Sequence, residues 1–267
     1  MVTQKERIYS SQDGLIIRPS GQWVGKKHHY WKRYADIFSR GMKKQWQERT
    51  YIDLFAGPGL CKIKGTGKEE EGSPLLSLKL DFTNYVFIEE DKECFEALKQ
   101  RCAGSPKIDK IQFIQGDCNK EMEKVKLKGL SFAFIDPTGI DVHYETIQKL
   151  AAKGKVDLLM NIPFPIDIKR NFNKYVKEQH QKLKKFLGGW KNFTNSQDVL
   201  AFYKEKIKDL GYSTEEYGDI VVKNTKNVPL YFLFFATKHP RGLDYWRKIS
   251  GKDEKGQMEL GLKNYER

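Results

Sequence analysis

The stretch Tyr51-Ile52-Asp53-Leu54-Phe55-Ala56-Gly57-Pro58-Gly59 decides how the rest of the chain is read. A short apolar run closes on an acid and passes at once into a Phe-Ala-Gly-Pro-Gly turn, the pattern of a buried strand delivering a glycine loop to a ligand. Glycine suits such a loop because, lacking a Cβ, it adopts positive φ and lets the backbone approach a bound molecule. The loop is followed by Leu60-Cys61-Lys62-Ile63-Lys64-Gly65-Thr66-Gly67-Lys68-Glu69-Glu70-Glu71-Gly72, and only then by Ser73-Pro74, which reads as an N-cap serine and N1 proline. A pyrophosphate cradle runs straight into its helix, so this spacing argues against a Walker-type or dinucleotide-type loop. The insertion is expected to be a mobile surface loop beside the site.

Working outward, four more apolar runs end on polar or turn residues. Residues 85–88 lead to Glu89-Glu90-Asp91, residues 111–114 to Gln115-Gly116-Asp117-Cys118, residues 132–135 to Asp136-Pro137-Thr138-Gly139, and residues 156–160 to Asn161-Ile162-Pro163-Phe164-Pro165. With helical segments between them, these steps predict a doubly wound α/β sheet whose strand ends line one crevice. Glu89, at the end of the second strand, can accept the hydroxyls of a ribose, whereas Glu90 and Asp91 suit a helix start. Upstream, Tyr30, Trp31, Tyr34, Ile37, Phe38 and Met42 recur at spacings of three and four, an amphipathic helix over residues 26–44 whose aromatics face the core. Lys26, Lys27, His28 and His29 at its start face either solvent or substrate. Residues 1–25 form an arm or short hairpin, residues 169–210 form lysine-rich helices broken at Gly188-Gly189-Trp190, and residues 219–222 and 230–236 form an antiparallel hairpin. Residues 243–249 lead to a polar tail.

Composition sets the frame. With 267 residues, 39% hydrophobic and 31% charged, the chain can bury a sizeable core and is expected to be globular. One domain over residues 1–267 is expected, with residues 1–50 a basic arm and helix and residues 165–215 a basic helical insertion. No apolar run reaches the roughly 20 residues of a membrane helix, and the first residues lack a signal-peptide pattern, so a cytoplasmic location off the membrane is expected. Cys61, Cys94, Cys102 and Cys118 show neither zinc-finger spacing nor a disulfide framework, and no metal is expected. The net charge of +13 is unevenly placed: residues 1–50 carry 11 Lys and Arg against 4 acids, and residues 162–211 carry 11 against 5. Residues 51–161 carry 16 against 18. Basic flanks around a near-neutral centre suit a small ligand in the core and a polyanion on the additions, although a solvated lysine surface gives the same totals.

These steps, with a D-x-F-A-G-x-G loop first and an antiparallel hairpin last, resemble the class I S-adenosylmethionine-dependent methyltransferases. More narrowly, residues 51–59, Gly72-Ser73-Pro74, Phe87-Ile88-Glu89, Phe134 to Gly139, and Phe234-Phe235-Ala236-Thr237-Lys238-His239 followed by Trp246 resemble the three-Cys-motif partner proteins. The resemblance implies a mostly parallel, seven-stranded Rossmann-like sheet with an antiparallel C-terminal strand, and S-adenosylmethionine as cofactor. It implies that Asp53, Phe55, Ala56, Gly57 and Gly59 lie against the methionine part, that Glu89 holds the ribose, and that Asp117 faces the adenine amino group with Cys118 beside the ring. Asp136-Pro137 stands where nucleobase amino-methyltransferases carry Asp-Pro-Pro-Tyr, but Thr138 and Gly139 replace the second proline and the aromatic residue. Asn161-Ile162-Pro163-Phe164 resembles the Asn-Pro-aromatic box of ribosomal RNA adenine dimethyltransferases one strand late. Phe164 could then supply the stacking surface, or Asn161 and the prolines could merely shape a turn. Asp136, Pro137, Asn161 and Phe164 are therefore the candidate catalytic residues. A nucleic-acid base amine is the expected acceptor; a protein or small-molecule acceptor, or a cofactor-binding partner protein without catalysis, are the alternatives.

Overall fold

The computed structural model describes residues 7–178, 180–214 and 220–251. Two strands open this portion, β1 (Ile8–Tyr9) and β2 (Ile16–Ser20), followed by helix α1 (Val24–Gly41), β3 (Arg49–Asp53), β4 (Leu60–Ile63), β5 (Glu69–Glu71) and α2 (Ser73–Leu78). The central run is β6 (Asn84–Glu89), α3 (Lys92–Cys102), β7 (Ile111–Gln115), α4 (Cys118–Glu121), β8 (Leu130–Ile135), α5 (Tyr144–Ala152) and β9 (Val156–Ile162). A wide helical turn at Phe164–Lys169 leads to α6 (Phe172–Lys177), α7 (Gln181–Leu187) and α8 (Ser196–Asp209). The described portion closes with β10 (Ser213–Thr214), β11 (Ile220–Lys223), β12 (Pro229–Thr237) and α9 (Pro240–Ser250).

The main sheet runs β7-β6-β3-β8-β9-β12, with β10 and β11 both on β12. The first five of these strands are parallel, and β12 enters antiparallel to β9 with Leu233 opposite Asn161. This is the doubly wound, mostly parallel sheet expected, but with eight strands rather than seven. The eighth arises because β12 is nine residues long: β11 covers its first part, and Ser213 and Thr214 pair with Thr237 and Ala236 at the other end. The strand order reverses about β3, which lies between β6 and β8, so the crevice opens where the loops after these strands part. Asp219, expected in the last hairpin, and residues 252–267 lie outside the described residues.

Strand period two divides the core by chemistry. In β8, Phe132 and Phe134 face one side with Tyr51, Tyr85 and Phe87, under the buried Tyr30, Trp31, Tyr34 and Phe38 of α1 and Trp246 of α9. Ala133 and Ile135 face the other with Ile52, Ile88, Leu158 and Met160, packed on α5, α7 and α8. The three-and-four spacing of the α1 aromatics thus covers the aromatic face of the sheet, as expected.

The insertion after Gly59 is no free loop. Its strands β4 and β5 join β1 and β2 in a second, four-stranded sheet, in which β2 runs parallel to β4 with Arg18 opposite Cys61. Cys61 and Ile63 are buried against Val24, and the Glu69 carboxylate accepts from Ser10 Oγ at 2.5 Å and Ser11 N at 2.8 Å. Arg101 of α3 clamps this layer to the glycine loop, donating to Ile16 O at 2.9 Å and Pro58 O at 2.6 Å and pairing with Asp13.

Candidate active site

The glycine loop begins at Asp53, whose side chain is fully buried. The carboxylate accepts from Ser73 Oγ at 2.6 Å, Tyr51 Oη at 3.1 Å and Phe55 N at 3.3 Å. Burial pushes its pKa up to about 7 against the opposing pull of Ser73. Asp53 therefore does not line the crevice; it sets the start of the loop and ties it to α2. Ser73, expected as the N-cap, is the first residue of α2 behind Gly72, and its hydroxyl serves Asp53 instead. Gly57 and Gly59 have φ of 66° and 90°, and a Cβ on Gly59 would lie 3.3 Å from both Leu75 and Leu98.

Beyond the loop lie two adjoining cavities. The first, about 300 Å³, is lined by Phe55, Ala56, Gly57 and Gly59 on one side and by Asp136, Pro137 and Asn161 on the other. The second, about 310 Å³, holds Glu89, Asp117 and Cys118 at the ends of β6 and β7. Arg18, Phe55, Asp136 and Thr138 border both. Glu89 joins the two halves: its Oε2 accepts from Gly57 N at 2.7 Å, and its Oε1 from Asp91 N at 3.0 Å and Arg18 Nη2 at 2.7 Å. Asp91 itself caps α3 through Cys94 N, the helix-start role expected of it. Asp117 uses Oδ1 to accept from Asn119 N and Nδ2, both at 2.9 Å. Cys118 is buried, which raises its thiol pKa and keeps it protonated and unreactive beside the pocket.

At the other wall, Asp136 accepts from Asn161 Nδ2 at 2.8 Å through Oδ1 and pairs with Lys27 of α1 through Oδ2. The Lys27 side chain is only 12% exposed, so this pair is largely shielded from solvent. His28 also lines the cavity, and burial, with Lys27 next to it, lowers its pKa to about 4, leaving a neutral imidazole. Of the four residues at the start of α1, Lys27 and His28 thus line the crevice. Asn161 Oδ1 and Tyr231 Oη, on the paired strands β9 and β12, are buried with no hydrogen-bond partner, and both side chains border this cavity. Phe164 does not. Its ring is 3% exposed and stacks on Phe232 at 5.3 Å, so it offers the crevice no open stacking face. The turn after Pro163 carries the ring back under the sheet.

Arg18 and Tyr231 were not singled out by sequence. Arg18 sits in a short strand far from its partner, and Tyr231 in an apolar run whose obvious role is packing; only the alternation of that run marks Tyr231 as sharing a face with Leu233 rather than with Phe232. No metal-binding group of three or more His, Cys, Asp or Glu occurs among the described residues, and none of their helices is long and apolar enough to cross a membrane.

No family model matches the chain, and no curated protein matches it. Among solved structures it is similar to TYW2 of M. jannaschii in complex with AdoMet, at 14% identity and a TM-score of 0.45 over 88% of this chain and 87% of that one. It is also similar to the methyltransferase domain of a bacterial CtHen1, at 12% identity and 0.44 over 78% and 99%. A third likeness is to WbdD, at 14% identity and 0.47 over 81% and 40%. At these values the likeness carries no residue role to this chain.

Proposed function

We propose that the chain is an S-adenosylmethionine-dependent methyltransferase acting on a nucleic-acid base amine. The observation that carries the reading is the bond from Gly57 N to Glu89 Oε2, which joins a glycine loop to an acid at adjacent strand ends while the loop runs into a strand instead of a helix. Such a crevice suits a nucleoside without phosphate: the loop passes into β4 rather than directly into a helix, and acidic groups face where hydroxyl and amino donors would lie. Phe55, Ala56, Gly57 and Gly59 would border the methionine part, Glu89 the ribose, and Asp117 with Cys118 the adenine. Asp53 acts on the loop through Phe55 N and Ser73. When bound, the cofactor supplies an electrophilic methyl group on a sulfonium whose leaving sulfide is neutral.

The chain must then align the amine and polarise its lone pair. We assign this role to Asp136: Lys27 and Asn161 hold one oxygen each and fix its orientation, while Pro137 borders the same cavity. Asn161 Oδ1 is a second acceptor for an amine hydrogen. The basic additions support a nucleic-acid acceptor. Lys182 of α7 pairs with Asp141 at 2.6 Å beside the adenine-side cavity, and the exposed Lys174, Lys177, Lys184 and Lys185 extend from there. The narrower resemblance to three-Cys-motif partner proteins rests on the loop and strand-end residues together with Gly72-Ser73-Pro74 and Phe234 to His239 followed by Trp246.

Titration with S-adenosylmethionine should show binding below millimolar concentration, and label from its methyl group should enter RNA or DNA rather than protein. Asp136→Ala should lower turnover by about 100-fold or more with cofactor affinity kept. Absence of cofactor binding would overturn the reading, and label entering only protein would move the acceptor.

A further inference from the structure

Arg18 reaches the crevice from β2, a strand of the second sheet, and its guanidinium occupies the position where Glu89 meets the glycine loop. An ionised carboxylate offers about four lone-pair directions. Gly57 N takes one on Oε2, and Asp91 N and Arg18 take two on Oε1. A ribose diol brings a pair of donors, so Glu89 cannot receive both while Arg18 stays. The arginine is also placed to go elsewhere. Its Cδ, Nε and Nη1 lie 3.8 to 4.0 Å from where a Cβ on Gly57 would be, on the methionine side of Glu89. Its side chain is 42% exposed, against 2% for that of Glu89.

The charge of the walls sharpens the point. Glu89, Glu90, Asp91, Asp117, Asp136 and Asp141 line the adenine-side cavity, and Arg18 is the one cation among its described lining residues. The adjoining cavity adds Lys27, which is largely shielded from solvent and held by Asp136. A ligand carrying a carboxylate into this crevice is repelled by its walls unless a cation turns to receive it, and Arg18, with its side chain 42% exposed against 12% for Lys27, is the one free to turn.

We propose that Arg18 is a specificity-determining residue that exchanges Glu89 for the cofactor's carboxylate, freeing Glu89 for the ribose in the same movement. This rests on the reading of the crevice as an S-adenosylmethionine site. The exchange makes ligands without a carboxylate poor binders, because they must displace Arg18 and offer it nothing in return.

The test is calorimetric titration of wild type, Arg18→Gln and Arg18→Lys with S-adenosylmethionine and with its decarboxylated form, which differs only at that group. Wild type should prefer the carboxylate form by about tenfold or more. Arg18→Gln should abolish the preference, with affinity for the decarboxylated form unchanged or raised, and Arg18→Lys should keep part of it. Equal loss of both ligands in Arg18→Gln, or an unchanged preference, overturns the exchange while leaving the cofactor site standing. Failure of folded wild type to bind either ligand at millimolar concentration overturns the cofactor reading and this inference together.

Discussion

Two buried carboxylates in the main sheet, Asp53 and Asp157, accept hydrogen bonds only from neutral donors. Asp157, at the start of β9, accepts from Tyr34 Oη at 2.7 Å and from Thr237 Oγ1, and burial still pushes its pKa up to about 6. A carboxyl whose folded pKa is raised binds its proton more tightly in the native state, so its stabilising contribution is full below about pH 4 and is lost as pH rises through about 6. Asp157→Asn should therefore gain stability relative to wild type between pH 4 and 7, on the order of 2 kcal/mol in urea unfolding. A flat difference across that interval would show that the group is not protonated in the fold. His28 has the opposite sign. Its pKa is lowered to about 4, so it costs stability as pH falls from about 6.5, and His28→Gln should remove that loss. At this scale the sequence made the strand-end acids visible, because a charged residue closing an apolar run is conspicuous. It did not separate Asp53, which holds the loop, from Glu89, which faces the cavity, since both follow the same pattern and differ only in what packs over them.

At the scale of elements, α1 and the five parallel strands were legible because helix and strand periods are local properties. The second sheet was not. Its key pairing, Arg18 opposite Cys61, joins residues distant in sequence, and β4 is a four-residue strand inside a lysine- and glycine-rich segment that reads as loop. The turn after β9 was legible as a turn but not in direction. Phe164 points into the core, and Phe164→Ala should destabilise the protein by roughly 3–5 kcal/mol as a core truncation does, read as a fall in Tm with cofactor affinity preserved. A normal Tm together with weakened acceptor binding would instead restore the ring to the crevice. Gly59→Ala tests the loop: its φ of 90° and the close Leu75 and Leu98 predict backbone strain and crowding, read as a fall in Tm, with cofactor affinity falling as the loop shifts.

For the whole molecule, the uneven charge is a statement about encounter. Binding of nucleic acid should weaken steeply with salt. Reversing Lys174, Lys177, Lys184 and Lys185 to glutamate should reduce the slope of log affinity against log salt by up to about one for each phosphate that a lysine no longer neutralises. An unchanged slope would place the acceptor on another surface. The division of the core into an aromatic and an aliphatic face has a further consequence, which is optical. Both fully buried indoles, Trp31 and Trp246, lie on the aromatic face with α1 and α9, whereas α5, α7 and α8 pack on the other. With Trp190, which packs against the other face, replaced by Phe, tryptophan emission therefore reports on one side of the sheet. Compared with far-ultraviolet ellipticity, it gives a direct measure of whether the two helical layers melt together or one before the other.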